Sequence, residues 1–189
     1  MGFERYSKRD EQPSRITSNL LIRTMADHEH IDRVWDIIGK VGVCMLTSRF
    51  AGGMRARPLE ARPERQTGRL LFITDVHSTK TNEVERWPDV GLVFIDATDK
   101  AYLSITGKAQ IVDDAELRAA AWRKTDAVWW PGGPNDPEVC VLVVEPTIAE
   151  LWDGPTSAAV AAFEFAKARA TGTEPDLGEN RKVSVNMKD

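Results

Sequence analysis

Two stretches of this 189-residue chain place charged and hydroxyl side chains at spacings that suit an anion. In the first, Arg55-Ala56-Arg57-Pro58-Leu59, side chains alternate across a strand with period two, so the two Arg share a face. In the second, Thr74-Asp75-Val76-His77-Ser78-Thr79-Lys80, a strand pattern gives way to a helical one. A helix start offers free backbone N–H groups and partial positive charge, a natural setting for phosphate. Ser78 adds a hydroxyl donor and Lys80 a point charge, and an Arg can grip two oxygens together. The chemistry this implies is recognition of a terminal phosphate monoester. Three such bonds amount to about 5–9 kcal/mol, while micromolar binding takes about 8 kcal/mol after ordering costs. A flat apolar ring on the same ligand must therefore contribute, and Trp129, Trp130 and Trp152 could hold one.

Each of these residues has a plainer reading. Arg55 and Arg57 could be charges that protect a sheet edge, and Ser78 could simply cap the following helix. Lys80 could be a solvated charge, although at a helix start it opposes the dipole unless an anion is present. His77 reads as a loop residue, Trp35, Trp87 and Trp122 as core or interface anchors, and Arg62-Pro63-Glu64-Arg65 as a solvated turn. Cys44 and Cys140 both sit in apolar runs and read as buried, reduced thiols. A metal site is not expected, because His28 and His30 would point to different helix faces and no CxxC or HExxH pattern occurs.

Composition narrows the class of partner. The net charge is −4, yet between Arg49 and Arg69 six Arg face two Glu. A compact positive patch on an acidic protein suits one small anion better than nucleic acid, which selects a broad basic excess. Hydrophobic residues make up 42% and charged residues 29%, figures that suit one soluble domain with a real core. No apolar run approaches the roughly 20 residues that cross a bilayer, and the first residues carry no secretory pattern. The expected location is the cytoplasm, with no membrane partner.

The elements that must position these residues follow from periodicity. Residues 1–26 read as a flexible arm. Asp27 can cap a helix carrying Ile31, Val34, Trp35, Ile38 and Val41 at helical spacing, which Gly42 ends. Strands are predicted over Val43–Ser48, Arg55–Ala61, Arg69–Thr74, Val90–Asp96 and Ala101–Val112, with Pro58 marking an edge or a bulge. A short helix spans Lys80–Arg86, and Asp113 or Asp114 caps a longer one running to about Val128. The Trp129–Asn135 loop precedes two strands, Val139–Glu145 and Ile148–Trp152. Thr156 or Ser157 caps an Ala-rich helix to Arg169, and Lys182–Val185 is weakly strand-like. Hairpin-linked strands with interspersed helices imply an α+β fold around a mainly antiparallel sheet, and closure into a barrel would remove its edges.

The Arg-Ala-Arg-Pro-Leu strand, the Thr-Asp-x-x-Ser-x-Lys loop and Trp152-Asp153-Gly154 resemble the pyridoxamine 5′-phosphate oxidase-like FMN-binding split barrels. The Trp-Trp-Pro-Gly-Gly-Pro-Asn-Asp-Pro loop and the Ala-Ala-Phe-Glu-Phe-Ala-Lys helix resemble their general stress protein branch. The resemblance runs from about His30 to Lys167. It implies an antiparallel six- to seven-stranded split β-barrel of Greek-key type with flanking helices. The implied layout is an arm at 1–26, an FMN-binding barrel at 27–153, and a helix and tail at 154–189 packed on the barrel or a dimer partner. The cofactor would be FMN, held between the subunits of a homodimer. Arg55 or Arg57, Ser78, Thr79 and Lys80 would form the phosphate site. Pro58, Leu59 and Thr74 would meet the ring or ribityl chain, with Trp130 and Trp152 lining the pocket. Thr79 stands where the true oxidases usually place Arg, and the Arg-x-His segment that grips pyridoxal is missing. These departures count against vitamin B6 oxidation and leave flavin binding intact. Three functions then compete: a flavin-dependent oxidoreductase serving a small electron donor and acceptor, a non-catalytic flavin-sequestering stress protein, and a deazaflavin-dependent reductase. No catalytic side chain identifies itself.

Overall fold

The computed structural model describes residues 29–153, 158–175 and 179–184. The expected arm over 1–26, the Asp27 cap and the Thr156 or Ser157 cap lie outside the described residues. The first helix, α1 (residues 29–41), sends Val34, Trp35, Ile37 and Ile38 into the main core. It ends at Gly42, whose φ of 70° needs no Cβ and whose amide closes onto the Ile38 carbonyl at 3.0 Å.

Seven strands and two further helices follow: β1 (Val43–Phe50), β2 (Gly53–Glu60), β3 (Arg62–Glu64), β4 (Arg69–Asp75), α2 (Thr79–Arg86), β5 (Asp89–Asp96), β6 (Ala101–Val112), α3 (Ala115–Ala121) and β7 (Val139–Asp153). A helix, α4 (Ala158–Thr171), and an eighth strand, β8 (Glu179–Ser184), complete the described chain. The strand order is β2-β1-β5-β6-β7-β4-β3, with β8 added to β7, and every pairing is antiparallel. β2 and β3 stand at opposite ends of that order, yet Ala61 alone separates them in the chain. A flat sheet cannot bring its two ends one residue apart. The sheet wraps round, and its ends meet through the chain rather than through a ladder. The result is a split α+β barrel.

Two apolar layers follow from this geometry. Inside the barrel, Leu46, Phe72, Leu92, Phe94, Leu103, Ile105 and Leu142 pack together at full burial. Outside it, Leu71, Ile73, Val141 and Val143 of β4 and β7 are covered by α3, Trp122 and Trp130. β4 and the first half of β7 are thus buried on both faces, while among the described residues the outer face of β1, β5 and β6 is exposed. Among the described residues no helix is long and apolar enough to cross a membrane.

The structure corrects several expected boundaries. The helix expected to reach Val128 stops at Ala121, because Trp122 turns to an extended conformation (ψ 135°) and packs with the outer layer. A separate 3-10 turn covers Lys124–Val128. The two expected strands beyond residue 139 are one continuous β7. Pro146 does not break it, since the ladder shifts register there and Thr147 is the extra residue opposite Thr106 and Gly107. Arg62, expected in a solvated turn, is 8% exposed within β3. The path β2-β1-β5-β6-β7-β4-β3 has seven strands, within the six to seven expected, and the weak strand expected at 182–185 lies, among the described residues, at Glu179–Ser184, off that path beside β7.

Candidate functional site

A cleft of about 420 Å³ opens where the barrel is split. One wall is the end of β2 and its continuation, Pro58, Leu59, Glu60 and Arg62; another is the end of β4, Ile73, Thr74 and Asp75. Lys80 enters from the first turn of α2, and Asp126, Trp129 and Trp130 close the far side. The volume is within the range of small-molecule sites, roughly 300–1,000 Å³.

Of the eleven residues the sequence nominates, Pro58, Leu59, Thr74, Lys80, Trp129 and Trp130 line this cleft. Ser78 and Thr79 stand at the start of α2 beside Lys80. The Ser78 hydroxyl makes no capping bond; it lies 2.9 Å from the Thr81 hydroxyl, so the first-turn amides of α2 have no side-chain cap. Arg57 stands next to this turn, donating to Thr79 Oγ1 at 3.3 Å, Ser48 Oγ at 2.9 Å and Glu83 Oε1 at 2.9 Å. Arg55 lies over the Phe50 ring, 4.5 Å from its centroid, with Glu83 at 3.7 Å. Trp152 is not brought to the cleft of its own chain, because it pairs with Tyr102 on the outer face of β6 and β7.

The expected positive patch is electrostatically dispersed. Arg49 stacks on Trp87, Arg55 and Arg57 share the buried Glu83, Arg62 meets Asp126, Arg65 meets Asp32, and Arg69 meets Glu64. Lys80 differs. Its ammonium has no hydrogen-bond or ion-pair partner among the described residues, and burial, helped by the Arg57 charge, lowers its pKa below the usual lysine value. A half-buried cation without a counter-ion is costly unless an anion completes it. Glu83 shows the opposite balance: the Arg57 guanidinium holds its carboxyl below the ordinary range despite burial.

A second unfinished group adjoins the first. Thr74 is 1% exposed and its hydroxyl has no partner among the described residues. A buried hydroxyl left unpaired costs free energy that a ligand acceptor or donor would recover. Neither thiol is a nucleophile here, since burial pushes Cys44 to about 12 and Cys140 to about 11. His77 is exposed, with Glu138 at 3.5 Å. No group of three or more potential metal ligands occurs among the described residues.

Sequence reasoning missed Glu60, Arg62, Ile73, Asp75 and Asp126 as lining residues. Only Glu60, Ile73 and Asp75 carried a usable signal, being neighbours of Leu59 and Thr74. The pairing of Arg62 with Asp126 spans 64 residues, and no local spacing announces it.

Comparison with known proteins fits this architecture. Protein bli-3 of Neurospora crassa is 25% identical over 123 residues, and general stress protein 26 of Bacillus subtilis is 30% identical over 76. The matches cover 61% and 39% of this chain, and the chain spans 59% and 54% of those relatives' lengths. Among solved structures, a Jannaschia sp. CCS1 protein described as general stress protein 26 superposes with a TM-score of 0.67 at 28% identity, over 85% of this chain and 99% of that one. The general stress FMN/FAD binding protein of Xanthomonas citri has the same fold, with a TM-score of 0.61 at 22% identity, over 69% of this chain and 92% of that one. The family model described as pyridoxamine 5′-phosphate oxidase like matches residues 29–176, most of the chain and all of the cleft, and the chain belongs to that family.

Proposed function

We propose that this protein binds FMN in the split-barrel cleft and acts as a flavin-dependent oxidoreductase on a small molecule. The observation that carries the reading is Lys80, a half-buried cation with no hydrogen-bond or ion-pair partner among the described residues, in one cleft with the Thr74 hydroxyl, which is likewise unpartnered among them. A phosphate would complete the first and a polar atom of the ribityl chain or ring the second. Bound FMN would supply hydride and electron transfer. Lys80 and the uncapped amides of α2 hold the phosphate, with Ser78, Thr79 and Arg57 at its margin. Pro58, Leu59 and Ile73 offer an apolar surface to the ring, and Trp130 excludes water from its far side. Glu60 and Asp75 can accept hydrogen bonds from ribityl hydroxyls at the rim.

The flavin site belongs to a homodimer in this reading. Val43 (50% exposed), Ile95 (53%) and Tyr102 (48%) lie on the uncovered outer face of β1, β5 and β6, an apolar surface that a second copy would bury. Trp152 and Tyr102 stand side by side on that surface, so Trp152 would reach a flavin only across the dimer.

Freshly purified protein, or apoprotein mixed with FMN, should show a bound-flavin visible spectrum at one flavin per chain. Reduction by NAD(P)H and reoxidation faster than free FMN would support the oxidoreductase; binding without accelerated turnover would favour sequestration. Mass spectrometry of released ligand separates FMN from a deazaflavin.

A further inference from the structure

Arg62 and Asp126 line the cleft, are 8% and 6% exposed, and are paired with each other. The Arg62 guanidinium donates to the Glu60 carbonyl at 2.6 Å, to Asp126 Oδ1 at 2.7 Å and to the Ala121 carbonyl at 3.2 Å. One fork thus ties the end of β2, the end of α3 and the 3-10 turn. Asp126 passes the constraint on. Its second oxygen accepts the Arg123 amide at 2.8 Å, and its carbonyl accepts the amides of Trp129 at 2.9 Å and Trp130 at 3.1 Å. Trp130 is held from the other side by Trp122, with centroids 6.5 Å apart. The pair therefore joins the wall that follows Pro58 and Leu59 to the wall made by Trp129 and Trp130.

We propose that Arg62 and Asp126 are positioning residues that set the spacing of these two walls, and so the grip on the planar ring of a ligand rather than on its phosphate. The inference rests on the flavin reading of the cleft. A buried ion pair rarely stabilises a fold more than well-packed apolar side chains would. What the fork adds is fixed geometry across three segments.

The test compares FMN and riboflavin binding to the full chain. An Arg62→Met, Asp126→Leu double variant removes both charges together and should still unfold cooperatively, at a lower midpoint because the Glu60 and Ala121 carbonyls and the Arg123 amide lose their partners. It should bind both ligands about tenfold more weakly and quench flavin fluorescence less, because the Trp wall is no longer held. Parent-like affinity and quenching in that folded variant, or a loss confined to FMN, would overturn the proposal. Should the double variant fail to fold, Arg62→Lys serves instead. It keeps the buried positive charge but cannot span three acceptors, and it too should weaken both ligands equally; parent-like binding sinks the idea. If the parent itself binds neither flavin, the flavin reading falls and this inference with it. If the parent binds and the variants are indifferent, this inference alone falls.

Discussion

At the residue scale, Lys80 is the group that would tell the phosphate of the proposed flavin from its ring. Replacing it by Met removes a charged hydrogen bond of about 1.5–3 kcal/mol, so FMN should bind roughly 10- to 100-fold more weakly while riboflavin is unaffected. Equilibrium titration of both ligands checks this. The same lysine sets a pH dependence. Its pKa in the free protein is lowered by burial, and a bound phosphate would raise it again. FMN affinity should therefore be full below the free-state pKa and fall as pH rises through the window up to the bound-state value. Riboflavin affinity should stay flat across that window. Glu83 gives an acid-side counterpart. Its folded pKa is depressed chiefly by Arg57, so its contribution to stability is complete above the ordinary value and lost as pH falls through the folded one. Glu83→Gln should cost about 2 kcal/mol at neutral pH and flatten the acid limb of stability against pH, read by urea unfolding.

At the element scale, the long β7 depends on one small residue across the ladder. A Cβ on Gly107 would lie 2.7 Å from the Glu145 carbonyl oxygen, where the register shifts to admit Thr147. Gly107→Ala should cost about 1–3 kcal/mol through forced backbone displacement, measured as a lower urea midpoint at unchanged slope. This bulge also marks where the sequence stopped being legible. Pro146 reads locally as a strand end, and nothing nearby says that a partner strand can absorb it. α1, β1, β4, β5 and β6 were legible because each carries its own period and a turn at its end. The position of the candidate loop was legible for the same reason, since Ser78, Thr79 and Lys80 are consecutive at a strand-to-helix junction. Arg62 was not, because its burial is decided by Asp126 and by the carbonyl of Ala121, both far along the chain. The early end of α3 has the same origin: Ala-rich sequence favours continuation, and packing of Trp122 against Trp130 overrides it.

At the scale of the whole molecule, the described residues cover the outer face of β4 and the first half of β7 and leave apolar side chains exposed on β1, β5 and β6. α3 and the Trp122–Trp130 pair shield β4 and the first half of β7, whereas Met45 and Val93, paired across β1 and β5, are exposed at 40% and 38%. Their neighbours Val43, Ile95 and Tyr102 extend the apolar surface along three strands. A contiguous patch of this kind is what association between copies buries. A Val93→Lys, Ile95→Glu variant places charges at exposed strand positions, where the isolated barrel tolerates them. In sedimentation equilibrium the parent should have the mass of two chains and this variant that of one. The variant should keep its thermal unfolding cooperative and lose most FMN affinity, because a site completed by a second subunit cannot survive dissociation. A monomeric parent, or a monomeric variant that holds FMN as tightly as the parent, would show that each cleft is complete on its own. Lys80 and Trp130 would then carry the binding without help from the Trp152 of a second copy.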